Sequence, residues 1–423
     1  MKILYLCHAD PDVDFSGTPL IAEQYIMNLN KKGHDCALLL PMSNKYKTIN
    51  KSKQEKIKKF YWPFLDNWKV KAFENIPFLH NDQKIEINFK PDIIHVLTWA
   101  NFSPSVFDKL KSFNVPIIRH VYGFEDFCYF GRPIFYHNDH SKCEAPLSEK
   151  NCSNCIIKNE DVNFLEKIKS IISNKKKKIK NNLRIRKFMV NKHFENYFDH
   201  LIFSSKFFAD FFLKHHKSSK PYSLIKHGIK EPQKTFQKND DDFVNIIFCG
   251  ATEPAKGWFI IEDVFFKILK NYSFKFNLRI YGNKKVTSKS KLSYFKNVSF
   301  YDEFHPKDID EIFGWADLGI APFLFETYSR IIREFMIRGV VPIGTDAFGI
   351  PEVINDKYNG FLIKKPFKKN LFDILKNILE NKKQISEMRN NLKKADIISP
   401  DQEMQDIMKI YKKLSETSPQ IKI

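Results

Sequence analysis

Short apolar runs, bounded by polar residues, glycine or proline, alternate along this chain with longer segments whose apolar residues recur at helical spacing. That alternation is typical of parallel β-sheets covered by helices. In the first half, the predicted strands are residues 3–7, 36–40, 92–96, 116–119, 200–203 and 222–225. In the second half, they are residues 244–249, 278–281, 298–300, 318–321, 340–343 and 361–363. The pattern predicts an α/β protein with two doubly wound parallel sheets.

Two amphipathic segments predict particular helices. Apolar residues recur at helical spacing from Leu20 to Leu29, and Gly33 follows where a left-handed helix cap is favoured. Residues 401–414 show the same spacing and predict a closing helix.

The chain has 423 residues, more than one hydrophobic core usually organises, so we expect two domains. Residues 230–242 lack apolar periodicity and read as a linker between them. We therefore predict a first domain over residues 1–235 and a second domain over residues 242–395. The closing segment, 396–423, is expected to pack back on the first domain.

Composition narrows the classes of protein. Hydrophobic residues make up 43% of the chain and aromatic residues 15%, which excludes a disordered protein. The formal net charge of +20 favours an anionic partner, whether nucleic acid, an anionic bilayer surface or a phosphorylated small molecule.

The location of the protein is predicted from its apolar runs. The apolar run at the amino terminus is too short for a signal peptide, and no uncharged stretch reaches the roughly 18–20 residues of a membrane span. We expect a cytoplasmic protein whose contact with a membrane, if any, is peripheral.

Two glutamates follow the predicted strand 318–321. Glu326 lies in the loop after the strand, and Glu334 follows eight positions later, about two turns along a helix that begins near Ser329. Carboxylates spaced in this way can accept hydrogen bonds from sugar hydroxyls, and a helix amino terminus offers amides to a phosphate. For an isolated pair the alternative is two solvated surface carboxylates.

The segment 325–334 resembles the Glu-seven-residues-Glu motif of the retaining GT-B glycosyltransferases, a family that includes bacterial capsule and lipopolysaccharide sugar transferases. Residues 344–354 and 359–362 are similar to the stretch that follows this motif in the family. The resemblance implies a GT-B fold, two Rossmann-like domains facing across a cleft, with the acceptor bound by the first domain, 1–235, and the nucleotide-sugar donor by the second, 242–395. It also implies that Glu334 holds the donor ribose and that Glu326 contacts the transferred sugar. The backbone amides of Phe348, Gly349 and Ile350 are expected at the sugar or diphosphate.

A second match lies upstream, where Gly250 and the pair Lys256 and Gly257 resemble the family's glycine turn and Lys-Gly pair. Lys256 is implied to bind the donor diphosphate. The chain has Ala251 where many relatives carry a phosphate-binding arginine. Arg330 is the candidate to compensate, and an outward-facing surface role is its alternative.

In the first domain the resemblance is weaker. Gly17 lies in a segment that resembles the family's loop toward the donor phosphate and acceptor, although an ordinary strand-to-helix connection fits equally well. His120 corresponds best to the histidine that contacts the transferred sugar in the family, and a structural histidine is its alternative. Glu125 and Asp126 are secondary candidates.

The resemblance implies transfer of a sugar, with retention of configuration, from a nucleotide-sugar donor to a saccharide or lipid-linked saccharide in cell-surface glycan synthesis. Cations and amides that hold the diphosphate require no metal or other cofactor for transfer. The alternatives are a GT-B nucleotide-sugar epimerase and a zinc-containing nucleic-acid-binding protein. No nucleic-acid recognition motif is present, so no nucleic-acid partner is expected.

Two further features of the sequence each have alternative interpretations. The four cysteines Cys128, Cys143, Cys152 and Cys155 could bind structural zinc or an iron–sulfur cluster or remain thiols. They predict a cysteine-rich insertion near residues 128–155. The lysine-rich run 175–180 is either a solvated face or a peripheral contact with anionic lipid.

Overall fold

The computed structural model describes residues 1–14, 17–42, 57–63, 86–103, 105–124, 126–128, 143, 148–159, 175–216, 218–234, 243–251 and 254–417. The candidate Glu125 and most of the predicted linker, residues 235–242, lie outside the described residues. The chain divides into two compact units. The first comprises Met1–Ser204, Ala209–Ile225 and Met404–Ile423, and the second comprises Ser205–Phe208 and Lys226–Glu403.

The first unit is built on a parallel sheet of seven described strands. They are β1 (Lys2–Leu6), β2 (Asp35–Met42), β3 (Lys58–Pro63), β4 (Ile93–Val96), β5 (Ile117–Val121), β6 (His200–Phe203) and β7 (Tyr222–Leu224). Their spatial order is β3-β2-β1-β4-β5-β6-β7, so the chain starts at the centre and winds outward in both directions. This is the doubly wound order of Rossmann-like sheets, with one further strand added at the edge.

Helices accompany this sheet at nearly every crossover. They are α1 (Gly17–Lys31), α2 (Ser105–Lys111), α3 (Glu149–Asn159), α4 (Lys175–Asn196) and α5 (Lys206–His216). Helix α1 ends as the sequence predicts, because Gly33 adopts the left-handed backbone conformation with φ 82°. Because helices cover both faces of a sheet of this type, the central strand β1 is buried from Ile3 to Leu6.

The second unit contains a parallel sheet of six described strands in the order β10-β9-β8-β11-β12-β13. The strands are β8 (Val244–Cys249), β9 (Phe276–Tyr281), β10 (Val298–Tyr301), β11 (Leu318–Ala321), β12 (Val341–Thr345) and β13 (Phe361–Ile363). Its helices are α6 (Trp258–Asn271), α7 (Lys284–Thr287), α8 (Ile309–Trp315), α9 (Arg330–Ile337), α10 (Phe367–Glu380) and α11 (Lys383–Leu392). The prediction of two Rossmann-like parallel sheets is confirmed.

The closing helix α12 (Pro400–Thr417) supplies Met404, Ile407 and Tyr411 to the hydrophobic core of the first unit. The Tyr411 hydroxyl lies 3.0 Å from that of Tyr5 on β1. Burial of the apolar face explains why this helix keeps the spacing seen in the sequence.

The other predicted strands and the closing helix are confirmed to within a few residues, and β3 is a strand that the pattern did not predict. Arg186, which follows the lysine-rich run 175–180 on helix α4, is buried. Within the described part of the chain, no helix combines the length and apolar character needed to span a membrane.

Candidate active site

The site lies where the strand order of the second sheet reverses. From β8 the chain proceeds to β9 and β10 on one side, and β11, which pairs with β8, leads to β12 on the other. In open parallel sheets, ligands bind outside the carboxyl ends of the strands at such a switch point. The loops after β8 and β11, residues 250–257 and 322–329, begin at this point.

Glycines shape the loop after β8. Gly257 adopts φ 72°, and a Cβ atom there would lie 2.1 Å from the carbonyl oxygen of Pro322. Only glycine accepts both the left-handed backbone and this close approach. At Gly250, a Cβ atom would be in ordinary contact with Lys256, 3.5 Å from its Cβ. Gly257 therefore lets the loop after β8 pack closely against Pro322 in the loop after β11.

Lys256 and Glu326 are brought together by this packing. Nζ of Lys256 lies 3.3 Å from Oε2 of Glu326 and 4.2 Å from the centre of the Phe323 ring. The Lys256 side chain is 35% exposed and that of Glu326 is 19% exposed. A partly exposed ammonium group on an aromatic face is positioned to bind an anion that arrives from solvent.

The loop after β11 leads directly into helix α9. Oε1 of Glu326 accepts a hydrogen bond from the amide of Thr327 at 3.1 Å, which fixes the carboxylate against its own loop. Helix α9 begins at Arg330 after Ser329, as the sequence predicts. The first amides of the helix are therefore presented next to Glu326, and such amides attract anions.

Glu334 is buried between two arginines on the same helix. Arg330 donates from Nε to Oε1 of Glu334 at 3.1 Å, and Arg338 donates from Nη1 to Oε2. The two arginines lie four residues before and four residues after Glu334, the spacing at which side chains on a helix meet. The positive charges of the two arginines stabilise the buried carboxylate, which is largely shielded from water.

Arg338 extends this network to a neighbouring helix. Its guanidinium group contacts Oδ1 of Asp310 on α8 at 2.7 Å, and Oδ2 of Asp310 accepts the amide of Gln233 at 2.7 Å. Partial burial would raise the pKa of Asp310. The hydrogen bonds from Gln233 and Arg338 and the charge of Arg338 outweigh burial and lower that pKa.

The lowered pKa of Asp310 predicts a pH-dependent contribution to stability. We expect Asp310→Asn to reduce the free energy of unfolding at pH 7. A carboxyl whose pKa is lower in the folded state stabilises above its unfolded pKa, about 3.9, and stops doing so as the pH falls through the folded pKa. The difference between wild type and variant should therefore shrink at the acid end of a series of urea denaturations from pH 7 downward. A difference that stays constant with pH contradicts this assignment.

The loop after β12 carries Phe348, Gly349 and Ile350. Phe348 adopts φ 58°, and a Cβ atom on Gly349 would lie 2.2 Å from the carbonyl oxygen of Thr327, so this loop packs closely against the one that holds Glu326. The Ile350 amide donates to the Ala347 carbonyl at 3.3 Å, and its contact with the donor stays a prediction. The amides of Phe348 and Gly349 have no acceptor in the described part of the chain.

A buried set of residues under the loop was not predicted. The guanidinium carbon of Arg333 lies 3.4 Å from the centre of the Tyr328 ring, and the same group donates to the Tyr328 carbonyl. The Tyr328 hydroxyl donates to the His227 carbonyl at 2.7 Å. These contacts hold the segment between Glu326 and Glu334 from beneath.

The part of the second unit that contains these residues also matches the model of a known protein family. Residues 229–396 match the family model of glycosyl transferases group 1. This part of the second unit is therefore similar to the group 1 glycosyl transferases. The resemblance seen in the sequence is thereby confirmed for the part of the chain that carries the motifs.

One curated protein is similar in sequence to part of this chain. An uncharacterized glycosyltransferase of Methanocaldococcus jannaschii is 24% identical over 183 residues, which are 42% of this chain and 50% of the relative. The chain thus spans about half the length of that curated relative.

Two solved structures resemble nearly the whole chain. One is sucrose-phosphate synthase from Thermosynechococcus elongatus, with a TM-score of 0.69, 13% identity and coverage of 99% of this chain and 100% of that one. The other is HepE from Anabaena in complex with UDP and glucose, with a TM-score of 0.62, 14% identity and coverage of 98% and 100%. At these identities the likeness shows the fold, that of GT-B glycosyltransferases.

In the first unit, Gly17 and His120 have different surroundings. Gly17 is the exposed first residue of α1, with open space around the position of a Cβ atom. His120 is fully buried, with Nε2 3.3 Å from the Ser204 hydroxyl and Nδ1 2.9 Å from the Tyr122 hydroxyl. This environment is typical of a structural histidine, and the contact of His120 with a sugar stays a prediction.

The four cysteines of the predicted cluster all lie among the described residues. Among the described residues, which include Cys128, Cys143, Cys152 and Cys155, no three cysteine, histidine or carboxylate side chains are arranged to hold a metal ion. Cys152 and Cys155 lie on helix α3, where Cys152 packs against the apolar cluster of Ile156, Ile179 and Leu183. Metal binding by the four cysteines stays a prediction, with free thiols as its alternative.

Proposed function

We propose that the protein is a retaining glycosyltransferase that moves a sugar from a nucleotide diphosphate donor to a saccharide or lipid-linked saccharide in cell-surface glycan synthesis. The observation that carries the proposal is the pairing of Lys256 with Glu326 at the switch point of the second sheet. Glu334 follows on helix α9, whose amino terminus adjoins the same loop. The group therefore offers a cation, carboxylates and backbone amides in one region of one unit.

The diphosphate of the nucleotide sugar would be held entirely by hydrogen-bond donors of the protein. Lys256 supplies an ammonium group, and Phe348 and Gly349 supply amides. In the substrate complex, Lys256 exchanges its contact with Glu326 for one with a phosphate oxygen. Charge that develops on the leaving diphosphate is then stabilised by groups that are already in place.

Glu334 would bind the donor ribose. A carboxylate accepts about four hydrogen bonds, and each oxygen of Glu334 receives one from an arginine. One acceptor site on each oxygen remains for the vicinal hydroxyls of a ribose. Arg330 and Arg338 hold the carboxylate in orientation, which reduces the entropy lost when the ribose binds.

The transfer step needs no nucleophile from the protein in this proposal. The acceptor hydroxyl attacks the anomeric carbon on the face from which the diphosphate departs, and its proton passes to the departing phosphate oxygen as the bond between that oxygen and the anomeric carbon breaks. Glu326 contacts the hydroxyls of the transferred sugar. Freed from Lys256 by the incoming phosphate, the Glu326 carboxylate becomes available as a hydrogen-bond acceptor. The presence of UDP and glucose in the similar HepE structure supports a nucleotide-sugar donor.

Ligand stabilisation tests the donor site. We expect one of uridine, guanosine, adenosine or thymidine diphosphate to raise the melting temperature in a concentration-dependent way. At about 100 times Kd, a bound ligand adds about 2.7 kcal/mol, a shift on the order of 5 °C for a domain of this size. The matching nucleotide sugar should be consumed only when an acceptor is supplied. Interconversion of the sugar without acceptor would indicate an epimerase, and the absence of any shift would contradict the proposal.

A further inference from the structure

The loop that carries Glu326 is tied to the rest of the second unit through its next two residues, Thr327 and Tyr328. The Thr327 carbonyl accepts a hydrogen bond from the Ser205 hydroxyl at 2.8 Å. The Tyr328 hydroxyl donates to the His227 carbonyl at 2.7 Å. Both partners belong to the second unit, although they lie 122 and 101 residues away in sequence. The position of the loop therefore depends on contacts between segments that are distant along the chain.

The peptide group between His227 and Gly228 is held at both of its ends. Its carbonyl accepts the Tyr328 hydroxyl, and its amide donates to Oε2 of Glu403 at 2.9 Å. Glu403 is fully buried in the first turn of α12, and its other oxygen lies 2.7 Å from Nδ1 of His227. A Cβ atom on Gly228 would lie 2.6 Å from backbone atoms of Pro400, so the peptide packs tightly against the helix. A planar peptide held in this way offers Tyr328 an acceptor in a fixed position.

The Ser205 hydroxyl is fixed by the start of helix α5. Its oxygen accepts the amide of Phe208, in the first turn of that helix, at 3.3 Å, so Ser205 caps the helix. The carboxylate of Glu352 accepts two further amides of the same turn, at 3.0 and 2.6 Å. The proton of the capping hydroxyl is directed to the Thr327 carbonyl. The Thr327 carbonyl is thus bound by a group whose orientation the start of α5 determines.

Tyr328 is also held from its other side. The guanidinium carbon of Arg333 lies 3.4 Å from the centre of the Tyr328 ring, and the same group donates to the Tyr328 carbonyl. Burial raises the pKa of Tyr328 to about 12, so the hydroxyl keeps its proton at neutral pH and donates to His227. The amide of Thr327 binds Oε1 of Glu326 at 3.1 Å. The contacts of Tyr328 and Thr327 therefore extend to the Glu326 carboxylate.

We propose that Tyr328 is a positioning residue whose bond to the His227 carbonyl holds the Glu326 carboxylate in place for the transferred sugar. Glu403 supports that carbonyl from the other end of the peptide. The inference rests on the proposed function, in which Glu326 contacts the sugar and Glu334 binds the ribose. Glu334 is held by its own two arginines and does not need this bond. Loss of the Tyr328 hydroxyl should therefore weaken binding of the sugar part of the donor and spare the nucleotide part.

Tyr328→Phe removes the hydroxyl and keeps the ring against Arg333. The probes are the nucleoside diphosphate that stabilises the wild type and the conjugates of that nucleotide with glucose, galactose and N-acetylglucosamine, each measured by titration calorimetry. For the conjugate that the wild type binds most tightly, we expect affinity to fall about tenfold, as for loss of one hydrogen bond to a charged group. Affinity for the nucleoside diphosphate alone should stay at the wild-type value. A role confined to stability would leave both affinities unchanged.

Glu403 gives a second pair of variants. Glu403→Ala removes the acceptor of the Gly228 amide and should weaken binding of the same conjugate about tenfold. Glu403→Gln keeps an oxygen for that amide and should recover most of the affinity. The Tyr328→Phe result stands by itself if Glu403→Ala does not fold.

Tyr197→Phe is the matched control. Tyr197 and Tyr328 are both 6% exposed, and the Tyr197 hydroxyl donates to Asp108 in the first unit. This variant loses a buried tyrosine hydroxyl in the same way and should lower the melting temperature without changing either affinity. Wild-type affinity of Tyr328→Phe for the conjugate would overturn the inference and leave the proposed function standing, as would an equal loss of affinity for the nucleoside diphosphate. A wild type that binds none of the four nucleoside diphosphates and none of their conjugates would overturn both.

Discussion

Replacing Lys256 by alanine is expected to lower kcat/KM for sugar transfer by about 10²- to 10³-fold, the usual cost of losing one preorganised group that stabilises transition-state charge. The fold should survive. Lys256 is partly exposed, and Glu326, which loses its ion pair, keeps the hydrogen bond from the Thr327 amide. No deeply buried charge is left without compensation.

The measurement is initial-rate kinetics on the nucleotide sugar identified by the ligand panel, with a melting curve for each variant. Lys289→Ala, which removes an exposed lysine of the same unit, is the control and should retain wild-type kinetics. Lys256→Arg should recover part of the lost rate because it restores the charge with a different shape. A value of kcat/KM for Lys256→Ala close to that of wild type would remove Lys256 from the mechanism.

The fold follows from the sequence wherever a strand is buried on both faces. From Ile3 in β1 and from Ile246 in β8 the strands are continuous apolar runs, and the turn residues that bound them allow both strands to be predicted from the sequence. β3 is different, because an edge strand that starts with Lys58 and Lys59 is only partly buried. The position of β3 depends on its pairing with β2 and on the ion pair between Lys59 and Asp10. The local periodicity of hydrophobic residues predicts neither contact.

The site was predictable to the extent that it is local in sequence. The loop position of Glu326 and the start of α9 follow from strand, turn and helix patterns, and the arginines on either side of Glu334 could have been found from their four-residue spacing. Asp310 could not, because it is 28 residues from Arg338 and meets it only through packing of α8. The left-handed backbone at Ser329 could not be predicted either, because serine does not favour that conformation.

Replacing Glu334 by alanine is expected to abolish transfer and to lower the free energy of unfolding by roughly 1–3 kcal/mol. Removal of the carboxylate leaves two guanidinium groups facing each other. The cost stays below that of an isolated buried charge because Arg338 keeps Asp310 and the Arg330 side chain is 31% exposed. Denaturant titration and donor kinetics on the same preparation measure both effects.

Two conservative changes decide whether Glu334 binds donor or only supports the helix. Glu334→Gln keeps the shape and one acceptor oxygen, so it should fold with a smaller loss of stability. Its donor KM should rise at least tenfold with a smaller change in kcat, because binding common to ground state and transition state is lost. Asp310→Asn loosens Arg338 without altering the oxygens of Glu334, and should reduce stability with little change in donor KM. If both variants shift stability alone, Glu334 is part of the scaffold and the ribose must be held elsewhere.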